Sequence, residues 1–173
     1  MLTVGHSTRS LAEFIALLSA HSADCLIDVR TVPRSRHNPQ FNQDTLPAAL
    51  QARAIDYAHC AGLGGFRQTH PGSVNMGWRN ESFRGFADYM QTPEFTEHIA
   101  RLIERATVER VVLMCAEAVP WRCHRSLIAD SLLVQGICAE EIVSATRLRA
   151  HTLTPFARVE GTVITYPPEL PSI

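Results

Sequence analysis

Short, unbroken apolar runs are the feature of this sequence that most restricts its fold. The runs "DCLIDV" (24–29) and "RVVLMC" (110–115) are each followed by a polar loop and then by a segment with helical character. A strand that is apolar on both faces has to be covered on both faces, which is typical of a parallel sheet flanked by helices. The sequence therefore predicts an α/β fold.

Five such runs alternate with helical segments along the chain. The predicted strands are "LTVGH", "DCLIDV", "IDYAH", "RVVLMC" and "ICAEEIV". Ser10 and Glu13 have the spacing of a capping box at the start of the first helix, and Thr92 with Pro93 marks the start of a later one. We predict a three-layer, Rossmann-like domain over 1–173, with about five mainly parallel strands and helices on both faces. The tail from about 145 is less regular, and "GTVITYP" is its candidate edge strand.

Three polar loops are predicted to meet at one edge of this sheet. They are "GHST" after the first strand, "DVRTVPRSRHNPQFN" after the second and "CAEAVPWRCHRS" after the fourth. In open α/β sheets, ligands bind beyond the carboxyl ends of the strands. The chain thus places its most reactive side chains where this kind of fold builds its binding sites.

Cys115 and Cys123 are the candidate nucleophiles of the third loop. A thiol near a helix N-terminus and the charges of Arg122 and Arg125 can have a lowered pKa. The alternative for Cys115 is packing as a small apolar side chain, while Cys123, beside His124, is expected to be the more exposed thiol. The two could also form a redox pair. A metal site is not predicted, because the neighbouring arginines repel a divalent cation.

The arginines of these loops predict an anion pocket. Arg30, Arg34 and Arg36 lie within seven residues that contain no acid, and Arg122 and Arg125 belong to the same edge of the sheet. Guanidinium groups suit the bidentate recognition of phosphate or carboxylate. Structural ion pairs with the few acids nearby are the alternative.

Several other residues have two interpretations each. Asp28 and Glu117 can transfer protons or hold a neighbouring arginine. His6 can act as a proton shuttle or bond to the backbone at the end of its strand. Six aromatic residues can stack on a base or pack in the core: Trp78, Trp121, Phe41, Phe66, Phe83 and Phe86.

The composition narrows the class of protein. The net charge is −1, so no overall field draws the chain to nucleic acid or a membrane. No stretch is long and apolar enough for a signal peptide or a membrane span. Five cysteines, an odd number, favour free thiols in a reducing cytoplasm. We expect a cytoplasmic protein and leave its oligomeric state open.

Five blocks in order, "VGHSTRSLAEF", "LIDVRTVPRSRHNPQFN", "LGG", "WRNESFRGFADYM" and "MCAEAVPWRCHRSLIAD", resemble bacterial members of domain of unknown function family 488. That family has no assigned activity. The resemblance implies that Gly5 to Ser7, Asp28 to Arg36 with Phe41, and Cys115 to Arg125 are its characteristic segments. A weaker likeness to rhodanese-type domains rests on "DVR" and on a strand, cysteine, loop, arginine and helix in that order. The segment after Cys115 departs from it, because it is long and interrupted by Pro120.

We predict an arginine-rich anion pocket beside Cys115 and Cys123, in an enzyme that acts on a phosphorylated or nucleotide-like ligand without a cofactor. The alternatives are a nucleic-acid binding or processing module, a rhodanese-like sulfur-transfer or thiol redox protein, and a non-catalytic interaction domain. The candidate catalytic residues are His6, Asp28, Cys115, Glu117, Cys123 and His124. The candidate ligand-binding residues are Ser7, Arg30, Arg34, Arg36, Asn80, Trp121, Arg122 and Arg125.

Overall fold

The computed structural model describes residues 1–168 and confirms the α/β architecture. Its main sheet has six strands, which lie in the order β3-β2-β4-β1-β5-β6. They are β1 (Leu2–Gly5), β2 (Cys25–Asp28), β3 (Asp56–His59), β4 (Val111–Cys115), β5 (Glu140–Ser144) and β6 (Arg147–Ala150). All pairings among the first five strands are parallel, whereas β6 pairs with β5 in the antiparallel direction. The sheet is therefore mixed but mostly parallel.

Five α-helices connect these strands and begin largely where the sequence signals place them. They are α1 (Leu11–Ala20), α2 (Leu46–Gln51), α3 (Glu81–Tyr89), α4 (Pro93–Ala106) and α5 (Arg125–Val134). The predicted capping box of Ser10 and Glu13 is formed at α1, and the Thr92 side chain caps α4. Across residues 1–168, no helix has both the length and the apolar character needed to cross a membrane.

Each face of the sheet has its own apolar core. Phe14 and Leu18 of α1 and Leu50 of α2 pack with alternate residues of the central strands, such as Leu26 and Met114. On the opposite face, α3, α4 and α5 contribute the apolar side chains Phe86, Phe95, Ile99, Leu127 and Leu132. This arrangement gives three layers, which explains why the central strands are apolar on both faces.

The strand order opens a crevice at the carboxyl edge of the sheet. The connections from β1 to β2 and from β2 to β3 run toward one edge through α1 and α2. Those from β3 to β4 and from β4 to β5 run toward the other edge through helices of the opposite face. The loops after β1 and β2 therefore diverge from the loop after β4, and ligand sites of α/β proteins lie at such a point.

The C-terminal part differs from the prediction in two respects. The sequence pattern did not predict β6, because "RLRA" is polar and lies at the exposed edge of the sheet. The prediction for "GTVITYP" was wrong in its placement: β8 (Val163–Thr165) pairs with β7 (Arg158–Glu160) in a separate antiparallel hairpin. Residue patterns within one strand do not specify which sheet it joins.

Candidate functional site

The three predicted loops meet around a cavity of about 440 Å³ at the carboxyl edge of the sheet. His6 follows β1, Arg30 to Ser35 follow β2, and Cys115 to Glu117 with Arg122 to His124 follow β4. The segment after β3 and the start of α3 complete the wall with Gly65, Phe66, Ser82 and Phe83. Phe66 and Phe83 were among the aromatic residues with two interpretations, whereas Gly65 and Ser82 were not identified from the sequence, although the glycine-rich character of 60–80 marked a loop there.

Cys123 lies at the N-terminus of α5 and is buried, whereas the sequence analysis expected it to be the more exposed thiol. Its sulfur faces one backbone N–H and the imidazole of His124. The backbone N–H of Arg125 donates to the Sγ of Cys123 at 3.5 Å, and the Nδ1 of His124 is 3.6 Å from the same sulfur. The Nε2 of His124 lies 3.1 Å from the carbonyl oxygen of Val29 and donates to it. The imidazole can therefore take the Cys123 proton on Nδ1 while Nε2 keeps its own, which yields a thiolate–imidazolium pair.

The two thiols of the cavity differ in their proton affinity. Burial acts to raise the pKa of Cys123, but its contacts with Cys115, His124 and Arg125 outweigh that effect and hold the pKa well below its usual value. Burial and the contact with Cys123 raise the pKa of Cys115. Of the two thiols, Cys123 is therefore the one that loses its proton more readily.

Arg125 lies on the inner side of the two sulfurs and does not line this cavity. Its side chain is completely buried, donates to the carbonyl oxygen of Glu117 at 2.6 Å and pairs with Glu141 at 3.3 Å. Burial opposes its charge, but the two sulfurs and Glu141 raise the pKa of the guanidinium. Arg125 thus holds the loop after β4 and stabilises negative charge on Cys123 from the inside of the protein.

Asp28 and Arg30 form a buried, bidentate ion pair. The Nε and a terminal nitrogen of Arg30 donate to the two carboxylate oxygens of Asp28 at 2.9 and 2.6 Å, and Arg30 also donates to the carbonyl oxygen of Phe41. The Tyr57 hydroxyl donates to Asp28 at 2.8 Å. This geometry favours the structural interpretation of both residues, since the pair ties the loop after β2 to the sheet.

His6 is buried and fully hydrogen-bonded. Its Nδ1 lies 2.8 Å from the carbonyl oxygen of Ser7, its Nε2 lies 3.3 Å from Arg30, and its ring stacks on Phe41. Burial and the charge of Arg30 lower the pKa of His6 to about 4 despite the Ser7 bond. His6 is therefore neutral near pH 7, and the geometry favours the backbone-bonded interpretation over a proton shuttle.

The loops after β1 and β4 touch each other through their backbones. A Cβ atom on Gly5 would lie 1.8 Å from the carbonyl oxygen of Glu117, so only glycine fits at the end of β1. Ser7 has a φ of 50°, and its backbone N–H donates to the carbonyl oxygen of Ala116. The backbone around Ser7 therefore supports the loop after β4, which contains Cys123.

The remaining predicted residues occupy different places. The exposed Arg34 and Arg122 line the cavity, as does Glu117, while Arg36 is exposed outside it. The Asn80 side chain caps α3 by accepting from the backbone N–H groups of Ser82 and Phe83. Trp121 lines another cavity, on the far side of the same loop. Across residues 1–168, no group of three or more His, Cys, Asp or Glu side chains is arranged to hold a metal ion.

Comparison with known proteins yields one match. A family model described as "Domain of unknown function DUF488" matches residues 10–132, which include the loops after β2 and β4. This match confirms the resemblance seen in the sequence blocks. No curated protein and no solved structure matches the chain significantly.

Proposed function

The chain belongs to the DUF488 family, a domain of unknown function. We propose that the cavity at the carboxyl edge of its sheet, from here on the first cavity, is the active site of a thiol enzyme. In this proposal, the thiolate of Cys123 attacks the phosphorus of a small phosphate monoester, and the S–P bond forms as the P–O bond to the alcohol breaks. The His124 imidazolium gives its Nδ1 proton to the leaving alcohol oxygen; His124 then takes a proton from the water that displaces the sulfur, so that inorganic phosphate leaves and the thiolate is restored. Arg34 and Arg122 hold the anionic group at the mouth of the cavity.

The position of the Cys123 sulfur is the observation that carries the proposal. It accepts a backbone N–H at the first turn of α5, lies against the His124 imidazole and lines an open cavity. Helix N-termini and neighbouring cations favour the thiolate, which is the nucleophilic form of cysteine. A purely structural cysteine has no need of these donors.

The anion-binding part of the proposal rests on two arginines instead of the five that the sequence suggested. Arg30 and Arg125 are used by Asp28, Glu141 and backbone carbonyls. Within residues 1–168, Arg34 pairs only with Asp44, at 3.6 Å and with both side chains largely exposed, so a substrate anion can compete for it. The exposed Val32 and Phe66 line the same cavity and offer an apolar surface to the rest of the ligand.

The charge of the alkylating reagent tests this site. Iodoacetate, an anion, and iodoacetamide, its neutral analogue, both alkylate thiolates. We expect the ratio of their rates at Cys123 to exceed the ratio at free N-acetylcysteine by about two- to tenfold at low salt, because the two guanidinium groups attract the anion. Peptide mass spectrometry over time gives both rates.

Arginine variants show whether the rate ratio at Cys123 depends on the arginines of the cavity or on the charge of the whole surface. Arg122→Gln should bring the rate ratio at Cys123 down toward that of the free thiol, and added inorganic phosphate should do the same in the unmodified protein. Arg36→Gln is the matched control, since Arg36 is exposed outside the cavity. An equal drop in both variants, or no drop in either, would refute a local anion site.

Cys115 favours thiol redox or sulfur-transfer chemistry as the second candidate. It lines the same cavity as Cys123, and the two thiols interact directly. With a small disulfide as oxidant, the Cys123 thiolate attacks one sulfur and releases the first thiol. The Cys115 sulfur, after giving up its proton, then attacks the Sγ of Cys123, releases the second thiol and leaves an intramolecular disulfide.

Treatment with 2-hydroxyethyl disulfide distinguishes the two candidates. For the redox function, we expect the wild-type protein to lose two hydrogen atoms without retaining an adduct, whereas Cys115→Ser should accumulate one mercaptoethanol adduct on Cys123. Intact-mass and peptide mass spectrometry detect both products. A stable adduct in the wild-type protein would eliminate the redox function and leave covalent catalysis by Cys123 alone. The nucleic-acid alternative gains no specific support from the first cavity, because neither tryptophan lines it.

A further inference from the structure

We infer that a second cavity, on the other side of the turn before α5, binds a planar heterocycle of the nucleobase class. This second cavity measures about 430 Å³ and lies between α5, the starts of β1 and β5, and the segment after β6. Both indoles of the protein, Trp78 and Trp121, line it together with Arg125, Glu141 and Arg149. The inference does not depend on any chemistry at Cys123.

Trp121 supplies a stacking surface. The side chain is 63% exposed although it forms part of a cavity wall, and the guanidinium carbon of Arg149 lies 4.9 Å from its ring centre. A cation–π contact of this kind fixes the orientation of the indole without burying it. A flat ring that enters the cavity can stack on the indole as bases do on aromatic side chains.

Buried donors in the wall have no acceptor. Among the described residues, three side-chain donors are buried without a hydrogen-bond partner, and two of them belong to residues of this wall: the Nε of Arg125 and the Nε1 of Trp78. The third, the Nε of Arg84, lies outside it. Native proteins satisfy nearly all of their buried polar groups, so each such donor requires a partner that enters from outside. A hydrocarbon lacks acceptors for them, whereas a base offers carbonyl oxygens and ring nitrogens together with a flat face for the indole.

Arg125 and Glu141 add a donor and an acceptor side by side. The carboxylate of Glu141 accepts from the Thr3 hydroxyl at 2.6 Å and from Arg125 at 3.3 Å, which leaves acceptor positions free. Guanine, adenine and cytosine each present a donor next to an acceptor on one edge. The buried carboxylate also disfavours a phosphate at this place, so the ring, and not a phosphate, is the group recognised here.

Calorimetric titration with the four neutral ribonucleosides tests the inference. These probes carry no phosphate, so they do not report on the arginines of the first cavity. We expect at least one of them to bind and to change the fluorescence of the two tryptophans. Trp121→Ala should weaken that binding by about five- to a hundredfold, the range found for loss of one base–aromatic stack. Because Trp121 is exposed, this variant should fold normally.

Phe66→Ala is the matched control, since Phe66 is the exposed aromatic residue of the first cavity. Its nucleoside affinity should equal that of the wild-type protein. A short single-stranded oligonucleotide titrated in parallel shows whether the ring comes from a strand or from a free nucleoside. The inference fails if no nucleoside binds at millimolar concentration, which would leave water as the occupant. It also fails if Trp121→Ala binds like the wild type, or if Phe66→Ala is the variant that loses affinity.

Discussion

Cys123 should react with iodoacetamide at pH 6 about ten to a hundred times faster than free N-acetylcysteine. Only about 0.3% of an ordinary thiol with a pKa near 8.5 is ionised at pH 6. The contacts of Cys123 with Cys115, His124 and Arg125 outweigh its burial and hold its pKa well below the usual value, so a larger fraction of this thiol is ionised at the same pH. Part of this advantage is lost because the nucleophilicity of a thiolate falls with its pKa. The measurement is the rate of adduct formation on the peptide that contains Cys123.

The pH profile provides a sharper test than a single rate. Below its pKa, a free thiol reacts about tenfold faster for each unit of pH, since its thiolate fraction rises in that proportion. The rate at Cys123 should reach its plateau at a lower pH than the rate of the free thiol, because the contacts of Cys123 lower its pKa. Cys123→Ser should remove this reaction, and Cys115→Ala should shift the profile toward higher pH by removing a contact that lowers the Cys123 pKa. A rate that follows the free thiol throughout would contradict the thiolate assignment.

The sequence predicts the edge of the sheet at which the site lies, since that depends on chain order and strand type alone. Apolar runs at 24–29 and 110–115 specify buried parallel strands, and the loops that follow them must then approach each other. The structure brings His6, Arg34 and Cys123 to one cavity in this way. Local signals, such as the capping box at Ser10, are equally visible because their partners lie within one helical turn.

The role of each side chain within the site is not visible in the sequence. Arg30 and Arg34 are four residues apart in one polar loop, yet Arg30 is buried in an ion pair with Asp28 and Arg34 is exposed. Whether an arginine is buried or exposed depends on partners that are distant in the chain. These are the Phe41 carbonyl for Arg30 and Glu141 for Arg125. The same limit applies to the thiols, because the donors that distinguish Cys123 from Cys115 are defined only when α5 begins at Arg125.

The buried ion pair of Asp28 and Arg30 should have the largest effect on stability. Asp28→Ala leaves the Arg30 guanidinium buried without its carboxylate, and removing one partner of such a pair costs about 3–5 kcal/mol. The Tyr57 hydroxyl loses its acceptor in the same variant. For a chain of this size, 1 kcal/mol corresponds to about 2–4 °C, so we expect Tm to fall by about 6–20 °C. Urea unfolding followed by circular dichroism gives the free energy of unfolding directly.

Two variants show whether the lost energy belongs to the pair. Asp44→Ala removes the partner of Arg34, an exposed pair of the same loop, and should change the free energy of unfolding by less than about 1 kcal/mol. The double variant Asp28→Ala, Arg30→Met removes both charges and should be more stable than Asp28→Ala alone, since no unpaired guanidinium is then buried. If the double variant were as unstable as the sum of its two single variants, packing of the loop, rather than the ion pair, would be the source of the stability. In that case, the loop after β2 would be held at the site by Phe41 and its apolar neighbours, which pack in the core beside α1.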